Sequence, residues 1–360
     1  MSGPKGGSPG PVPAEDPPLR TGLSLVVCTF RRPASLSRLL SSVLEQSRLP
    51  DDLIVVDASP DGATEAVAND HPVGPRLGEG WRYFRVGEPL RGLTRQRNFA
   101  VERVRTDLVA FVDDDVVLRP GCLQALESVH RQGGPRVAGV APVVENELAA
   151  PSRLWRWRRR LGIVSTLEPG RYSRSGMSIP WGFLPASAGP ELLTQGDWLP
   201  GAAFMWKTAL VRQVGFQERF AGYANGEDLE FSLRMRRLGA LMVTGSARAV
   251  HLHEPAGRPT PYHYGSMTVE NAYSIHVTCL DRRSWTDAAW FRYAYLLDGL
   301  LQSLNLLRPS LTVWFWRYLR GYWRAYLRVA FGPAAVPEGR PLSRSRAGEE
   351  PGRPAPAGGR

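Results

Sequence analysis

The chain has 360 residues, room for two ordinary domains or one large domain with appendages. Its 43% hydrophobic content excludes a wholly disordered protein. Lys and Arg number 45 against 34 Asp and Glu, a formal +11, and that excess points to an anionic partner: nucleic acid, anionic lipid or a phosphorylated substrate.

The three cysteines, Cys28, Cys122 and Cys279, are far apart and odd in number. With no C-x-x-C pair they argue against a zinc site or a disulfide framework, and a reducing cytoplasm fits them. Residues 1–20 lack an apolar segment of signal-peptide type, and ten of them are Pro or Gly. No uninterrupted apolar run reaches the length of a spanning helix, so none is expected. Residues 1–20 and 333–360 read as flexible tails, which leaves 21–332 as the ordered protein.

In chain order, Leu23–Phe30 is a short apolar run of strand type. Arg32-Pro33 then opens a helix with Leu36, Leu39, Leu40, Val43 and Leu44 on one face. Leu53–Val56 is a second buried strand ending at Asp57, and a helix is expected from Thr64. Trp81–Val86 reads as a strand and Leu93–Arg103 as a helix. Leu108–Val112 is a further apolar strand, ending in Asp113-Asp114-Asp115. Residues 145–197, rich in Arg, Trp, Ser, Gly and Pro, read as loops around a site. Ala203–Val214 and Leu229–Leu238 are predicted helical, and Leu241–Val243 and Ala247–Val250 are short strands leading to His251. Residues 284–331 are predicted helical and aromatic. Strands alternating with helices imply an α/β fold on a mostly parallel sheet, in which ligands bind beyond the carboxyl ends of strands.

The triplet Asp113-Asp114-Asp115 is the strongest chemical signal. Adjacent carboxylates repel, burying them is costly, and a divalent cation relieves both problems. Oxygen ligands suit Mg2+ or Mn2+. In an extended segment Asp113 and Asp115 point one way and Asp114 the other. A solvated acidic turn is the bland alternative, disfavoured by the buried strand in front. Gly226-Glu227-Asp228 opens a helix, where acidic residues also serve simply to cap and to match the dipole. His251 ends a strand, with His253 two residues on, and is either structural or completes a metal sphere. Asp57, Arg97 and Asn98 are weak signals alone.

These segments in this order resemble the family 2 glycosyltransferases, which have the GT-A fold, a Rossmann-like sheet flanked by helices. The resemblance rests on Val26-Val-Cys-Thr-Phe-Arg-Arg32, Ile54-Val-Val-Asp-Ala-Ser59, Gly92-Leu-Thr-Arg-Gln-Arg-Asn98, Phe111-Val-Asp-Asp-Asp115, Pro200-Gly-Ala202, Gly226-Glu-Asp-Leu-Glu230 with Arg234, and Val250-His251. It covers about residues 23–255. It implies that Asp57 contacts the nucleotide base, with Thr29 and Arg31 lining the same loop. Arg97 and Asn98 would help hold the nucleotide, and Asp113, with Asp114 beside it, the nucleotide-sugar. Asp113 and Asp115 would bind the Mg2+ or Mn2+ with His251, His253 being the fallback. Asp228 would be the catalytic base and Glu227 would orient the acceptor. Gly201 falls in a wall of the acceptor or donor-sugar site. Trp198 either stacks on a sugar there or packs in the core.

The implied reaction moves a sugar from a nucleotide-diphospho-sugar to an acceptor hydroxyl, with inversion, since no second nucleophile is suggested. The implied acceptor is a glycan or a lipid-linked glycan, in bacterial cell-envelope or exopolysaccharide synthesis. The site is expected at 21–255, followed by an aromatic and basic helical extension at 256–332.

In that extension Arg317, Arg320, Arg324 and Arg328 form one helical stripe, and Phe315, Leu319, Tyr322, Trp323 and Tyr326 lie opposite. That is the composition of an in-plane membrane helix, and equally of a helix packed on the catalytic domain or on a second copy. A cytoplasmic protein, peripheral on the inner face of the membrane, is the expectation. Trp155–Arg160 would assist at the membrane or meet a lipid-linked acceptor. Two rival classes compete. A nucleotidyltransferase usually has a glycine-rich phosphate loop near its N-terminus, and none is found. A nucleic-acid-binding protein is suggested by charge only, and with no recognisable module no nucleic acid is expected as partner.

Overall fold

The computed structural model describes residues 18–220, 224–255, 258–279, 284–304 and 313–332. The tails expected at 1–20 and 333–360 lie outside these residues except at 18–20, where Arg20 already opens a strand. In chain order the elements begin with β1 (Arg20–Thr29), α1 (Pro33–Leu44), β2 (Asp52–Asp57), α2 (Ala63–Asp70), α3 (Val73–Leu77) and β3 (Trp81–Arg85). They continue with α4 (Leu93–Val101), β4 (Thr106–Asp113), β5 (Val116–Leu118), α5 (Cys122–Gly133), β6 (Val137–Val144), α6 (Arg153–Arg160) and β7 (Leu193–Gly196). The chain then forms β8 (Ala203–Lys207), α7 (Thr208–Val214), α8 (Glu227–Met235), β9 (Ala240–His251), α9 (Pro261–Cys279), α10 (Trp285–Ser303) and α11 (Val313–Phe331).

The strands form one nine-stranded sheet in the order β3-β2-β1-β4-β8-β6-β9-β5, with β7 on β9. Alternate side chains of the central strands enter different cores. Leu25 and Val27 of β1 and Leu53 and Val55 of β2 pack with Leu36, Leu39, Leu40 and Val43 of α1. Val26, Ile54 and Val56 pack instead with Ala100, Phe216 and Phe231. Both faces are therefore covered, which is why these strands read as unbroken apolar runs.

Parallel pairing holds for β3, β2, β1 and β4. Beyond β4 the sheet is mixed, because β8 runs antiparallel to both β4 and β6. Six of the nine strands still run one way, as a mostly parallel sheet requires, and the correction falls on the helix expected over 203–214. Residues 203–207 are a central strand and only 208–214 are helical. Four of the five β8 residues are buried, so no polar alternation betrays the strand. Trp206 is fully buried there, edge-on to Phe204 and Phe231. The two short strands expected before His251 are one twelve-residue strand.

Residues 145–197 are not simply loops around a site. They contain α6 and β7, and Ile163, Val164, Met177 and Ile179 form a third core with Val269, Phe291 and Tyr322 of the last three helices. Against α9, α11 packs at glycine contacts: a Cβ on Gly321 would lie 1.9 Å from the Tyr262 carbonyl oxygen, and one on Gly265 2.0 Å from that of Tyr318. The sequence-predicted aromatic face of α11 is spent on this packing, since Leu319, Tyr322 and Tyr326 are buried.

Strand register brings the chemical residues to one edge. Thr29 lies beside Asp57, and Cys28 beside Asp113, at the carboxyl ends of β1, β2 and β4. Val112 pairs with Ala203, so the 200–202 turn abuts Asp113, whose N–H donates to the Ala202 carbonyl at 2.9 Å. Val116 pairs with His251, which sets the end of β9 beside Asp115.

Candidate active site

A cavity of about 430 Å³ opens at this edge, lined by Thr29, Arg32, Asp113, Asp114, Asp115, Gly201, Glu227, Asp228 and His251 among others. Asp113 ends β4, and the next two residues turn the chain into β5. The expected parity holds. Asp114 turns away, accepting from the Thr29 hydroxyl at 2.7 Å and from Arg32 at 3.0 Å. Asp113 and Asp115 converge with His251, each offering one ligand atom, and these atoms lie within 4.8 Å of one another.

His251 is held on every side. Its backbone N–H and carbonyl are bracketed by the Asn146 amide at 3.0 and 2.6 Å. Its Nε2 stands 3.2 Å from Asp115 Oδ1, and its Nδ1 3.0 Å from Glu147 Oε1. Burial disfavours charge on the ring, but the bonds to Asp115 and Glu147 outweigh it and raise the pKa to about 10. Burial likewise raises Asp113, against Arg97, and lifts Asp114 to about 6. At Asp115 the cost of burial is outweighed by His251, and its pKa falls below the ordinary value.

Two carboxylates and an imidazole, with Glu147 fixing the ring through the far nitrogen, are a fitting donor set for Mn2+ or Mg2+. His253 meets Glu147 at 3.3 Å and joins His251 and Glu147 in a second grouping, but it does not join Asp113 and Asp115.

On the opposite wall Gly226, at φ +86°, turns the chain into α8. A side chain there would be strained. The turn sets Glu227 and Asp228 in the first helical turn, where the dipole favours negative charge. Asp228 Oδ2 accepts from the Gly201 N–H at 3.0 Å and Oδ1 from its neighbour Leu229 at 2.8 Å. Burial raises its pKa, opposed by those bonds. Glu227 is almost fully buried, its pKa lifted by burial to about 8 against the pull of Arg97, and its Oε2 has no hydrogen-bond partner among the described residues.

Arg97 ties the two walls together. Its guanidinium donates to Glu227 Oε1 at 2.7 Å, to Asp113 Oδ1 at 3.0 Å and to the Gly201 carbonyl at 3.2 Å. It is only 1% exposed, within 6 Å of the rings of Phe111, Phe204 and Phe216. A charge so buried is tolerable only because it is paired this completely.

The structure thus brings Thr29, Asp113, Asp114, Asp115, Gly201, Glu227, Asp228 and His251 to the cavity, but not every expected residue. Arg97 does not line it, its donors being taken by the protein. Both ends of the Asn98 amide are bonded to the Phe216 backbone, which positions α4 on the segment before α8. Asp57 is fully buried, and its carboxylate accepts from the Ser59 N–H and the Tyr83 hydroxyl. Arg31, at φ +56°, is exposed outside the cavity, and its neighbour Arg32 lines it instead. Trp198 packs between two cores, and its indole ring does not reach the lining. Missing from the sequence reading were Arg32, Glu147 and Glu254, whose N–H donates to Asp115 at 2.9 Å. Arg32 stood in the first motif. Glu147 and Glu254 carry no local signal, because strand pairing alone brings them in.

Residues 24–181 match the family described as Glycosyl transferase family 2. An uncharacterized protein of Mycobacterium tuberculosis (strain CDC 1551 / Oshkosh) is 30% identical over 149 residues, 41% of this chain. The match spans 43% of that relative's length. The fold is similar to that of the mannosyltransferase PcManGT from Pyrobaculum calidifontis, solved in complex with GDP-Man and Mn2+. There the TM-score is 0.50 at 14% identity, over 88% of this chain and 89% of that one. It is also similar to GalNAc-T7, solved with UDP, GalNAc and Mn2+, with a TM-score of 0.55 at 14% identity over 87% of this chain and 57% of that one. These likenesses establish the GT-A architecture.

Proposed function

We propose that the protein is an inverting glycosyltransferase, a reading supported by the match of residues 24–181 to the family described as Glycosyl transferase family 2. It moves a sugar from a nucleotide-diphospho-sugar to a hydroxyl of a glycan or lipid-linked glycan. One observation carries the reading: Asp113, Asp115 and His251 converge on one wall of the cavity that has Glu227 and Asp228 on another, with Arg97 bonded across.

Asp113, Asp115 and His251 would hold the divalent cation, which when bound neutralises charge developing on the diphosphate. Thr29 and Arg32 fix Asp114 behind that site. Glu227, anchored through Oε1 with Oε2 unpartnered, orients the acceptor. Asp228 takes the acceptor proton as its oxygen attacks the anomeric carbon. The new carbon–oxygen bond forms as the bond to the diphosphate oxygen breaks, and the nucleoside diphosphate leaves. The raised pKa of Asp228 brings the base nearer to neutral pH than a free carboxylate.

The division of carboxylates supports inversion. Asp113 and Asp115 belong to the cation, Asp114 to Thr29 and Arg32, and Glu227 to Arg97. With Asp228 as the base and no carboxylate assigned as a nucleophile, these assignments support a single displacement. A bacterial cell-envelope or exopolysaccharide glycan is the product class that agrees with this reading. The test is incubation with Mn2+ and UDP-, GDP- or dTDP-sugars, with product anomers read by NMR. An inverted anomer from one donor class supports the proposal, and a retained anomer overturns the base assignment.

A further inference from the structure

Of the alternatives open for α11, a membrane helix or one packed on the rest of the chain, the packing holds for its aromatic side, which is buried against α9 and α10. What remains outward is unusual in a different way. Arg317, Arg320, Arg324 and Arg328 are exposed, and among them stand Trp314 at 51%, Trp316 at 53% and Leu327 at 54% exposure. The helix contains no Asp or Glu. Some exposed arginines elsewhere do have carboxylate partners, as Arg131 with Asp107 and Arg85 with Glu65. On α11 only Arg328 has one among the described residues, Glu270 of α9, while Arg324 reaches the Tyr262 hydroxyl at 3.1 Å. Along this face runs a groove of about 740 Å³, lined by Trp316, Leu319, Arg320, Trp323, Arg324 and Leu327 among others.

We infer that this face of α11 docks on an anionic phospholipid bilayer. Unneutralised arginines interleaved with large apolar side chains match a surface whose phosphates lie over an acyl boundary. Exposed indoles seat at headgroup depth. Leu327, and Phe331 at 82% exposure, gain from burial in acyl chains and nothing from a nucleic-acid backbone. No helix among the described residues is long and apolar enough to cross a membrane, so the contact lies in the plane.

The glycine contacts hold α11 rigidly against α9. α9 also touches the cavity wall, since Asn271 donates to the carbonyl of the cavity-lining Asn225 at 2.7 Å. A single helix therefore separates the lipid-docking face from the wall that carries Glu227 and Asp228. If the proposed transfer holds, α9 links the docking face to the wall on the acceptor side, but the docking face itself does not depend on that reading.

The test is co-sedimentation of the full chain with vesicles of phosphatidylcholine, alone or mixed with phosphatidylglycerol. It needs no donor and no turnover, so a failed transfer assay leaves it standing. Binding is expected to the mixed vesicles only and to weaken with salt. At about fivefold per arginine, Arg317→Gln with Arg320→Gln lowers the partition coefficient roughly thirtyfold. Trp316→Ser with Leu327→Ser lowers it as well, and unchanged circular dichroism and Tm exclude misfolding in both pairs. Equal binding to neutral vesicles, or undiminished binding by both variant pairs, overturns the inference. So does absence of vesicle binding, whether the face instead binds duplex DNA or holds a dimer that the arginine variant splits.

Discussion

Arg97 and Glu227, 130 positions apart in the chain, form a 2.7 Å ion pair with side chains 2% and 6% exposed. The pair joins the wall that gathers Asp113 to the wall that carries Asp228. Removing one partner of a buried pair leaves the other charge uncompensated, which costs about 3–5 kcal/mol. Arg97→Ala is expected to lose that much stability in urea unfolding. Glu227→Gln is expected to lose less, because Arg97 keeps Asp113 and the Gly201 carbonyl. Equal losses would show that the Glu227 contact is the one that matters.

A pH effect is expected far from the cavity. His130 of α5 is 3% exposed, bonded through Nε2 to the Met205 carbonyl at 3.0 Å, and burial pushes it down to about 4. An unfolded histidine titrates near 6.5, at about 6.5 in model peptides. Between that value and about 4 the unfolded chain therefore binds the extra proton. The contribution of neutral His130 is present above that window and is lost as pH falls through it, by at most about 1.4 kcal/mol per pH unit. Urea midpoints measured against pH are expected to fall less steeply in His130→Gln than in the native protein. Parallel curves would contradict the assignment.

Glu147 touches the proposed metal site only through His251 Nδ1. Such carboxylates typically set metal affinity by 10–100-fold. Glu147→Gln is expected to weaken Mn2+ binding in calorimetry by about that factor without altering the fold. An unchanged affinity would remove Glu147 from the site.

Gly201 has no room for a side chain, since a Cβ there would lie 2.9 Å from Asp228 Cβ and 3.2 Å from Glu227 Oε1. Gly201→Ala is expected to displace Asp228 and to lower kcat by about 100-fold, as misplacement of a reacting group by about 1 Å does. Donor binding, which rests on the other wall, is expected to persist. Loss of both would mean that the two walls move together.

Much of this was legible in the chain. The apolar runs of β1, β2 and β4 and the parity of the three aspartates follow from local pattern. So does the placement of Glu227 and Asp228 at a helix start. β8 was not legible, because Ala203, Phe204, Met205 and Trp206 are buried on both faces and good helix formers are among them. Asn98 and Asp57 looked like ligand-binding residues, yet each satisfies its polar groups within the fold. Glu147 reached His251 through the pairing of β6 with β9, which no short segment encodes. On α11 the stripe pattern was right, but which side faced outward depended on α9, packed at glycines from both helices.

Whether the two walls divide the labour in this way is read from donor binding measured beside turnover. Thermal shift with nucleotide-sugars, with and without Mn2+, is to be run on the native protein, Asp115→Asn and Asp228→Asn. A Mn2+-dependent stabilisation by one donor class is expected. It is lost in Asp115→Asn and retained in Asp228→Asn, while transfer fails in both. Donor stabilisation lost in Asp228→Asn and kept in Asp115→Asn would reverse the assignment of the two walls, and full transfer by Asp228→Asn would remove Asp228 as the base.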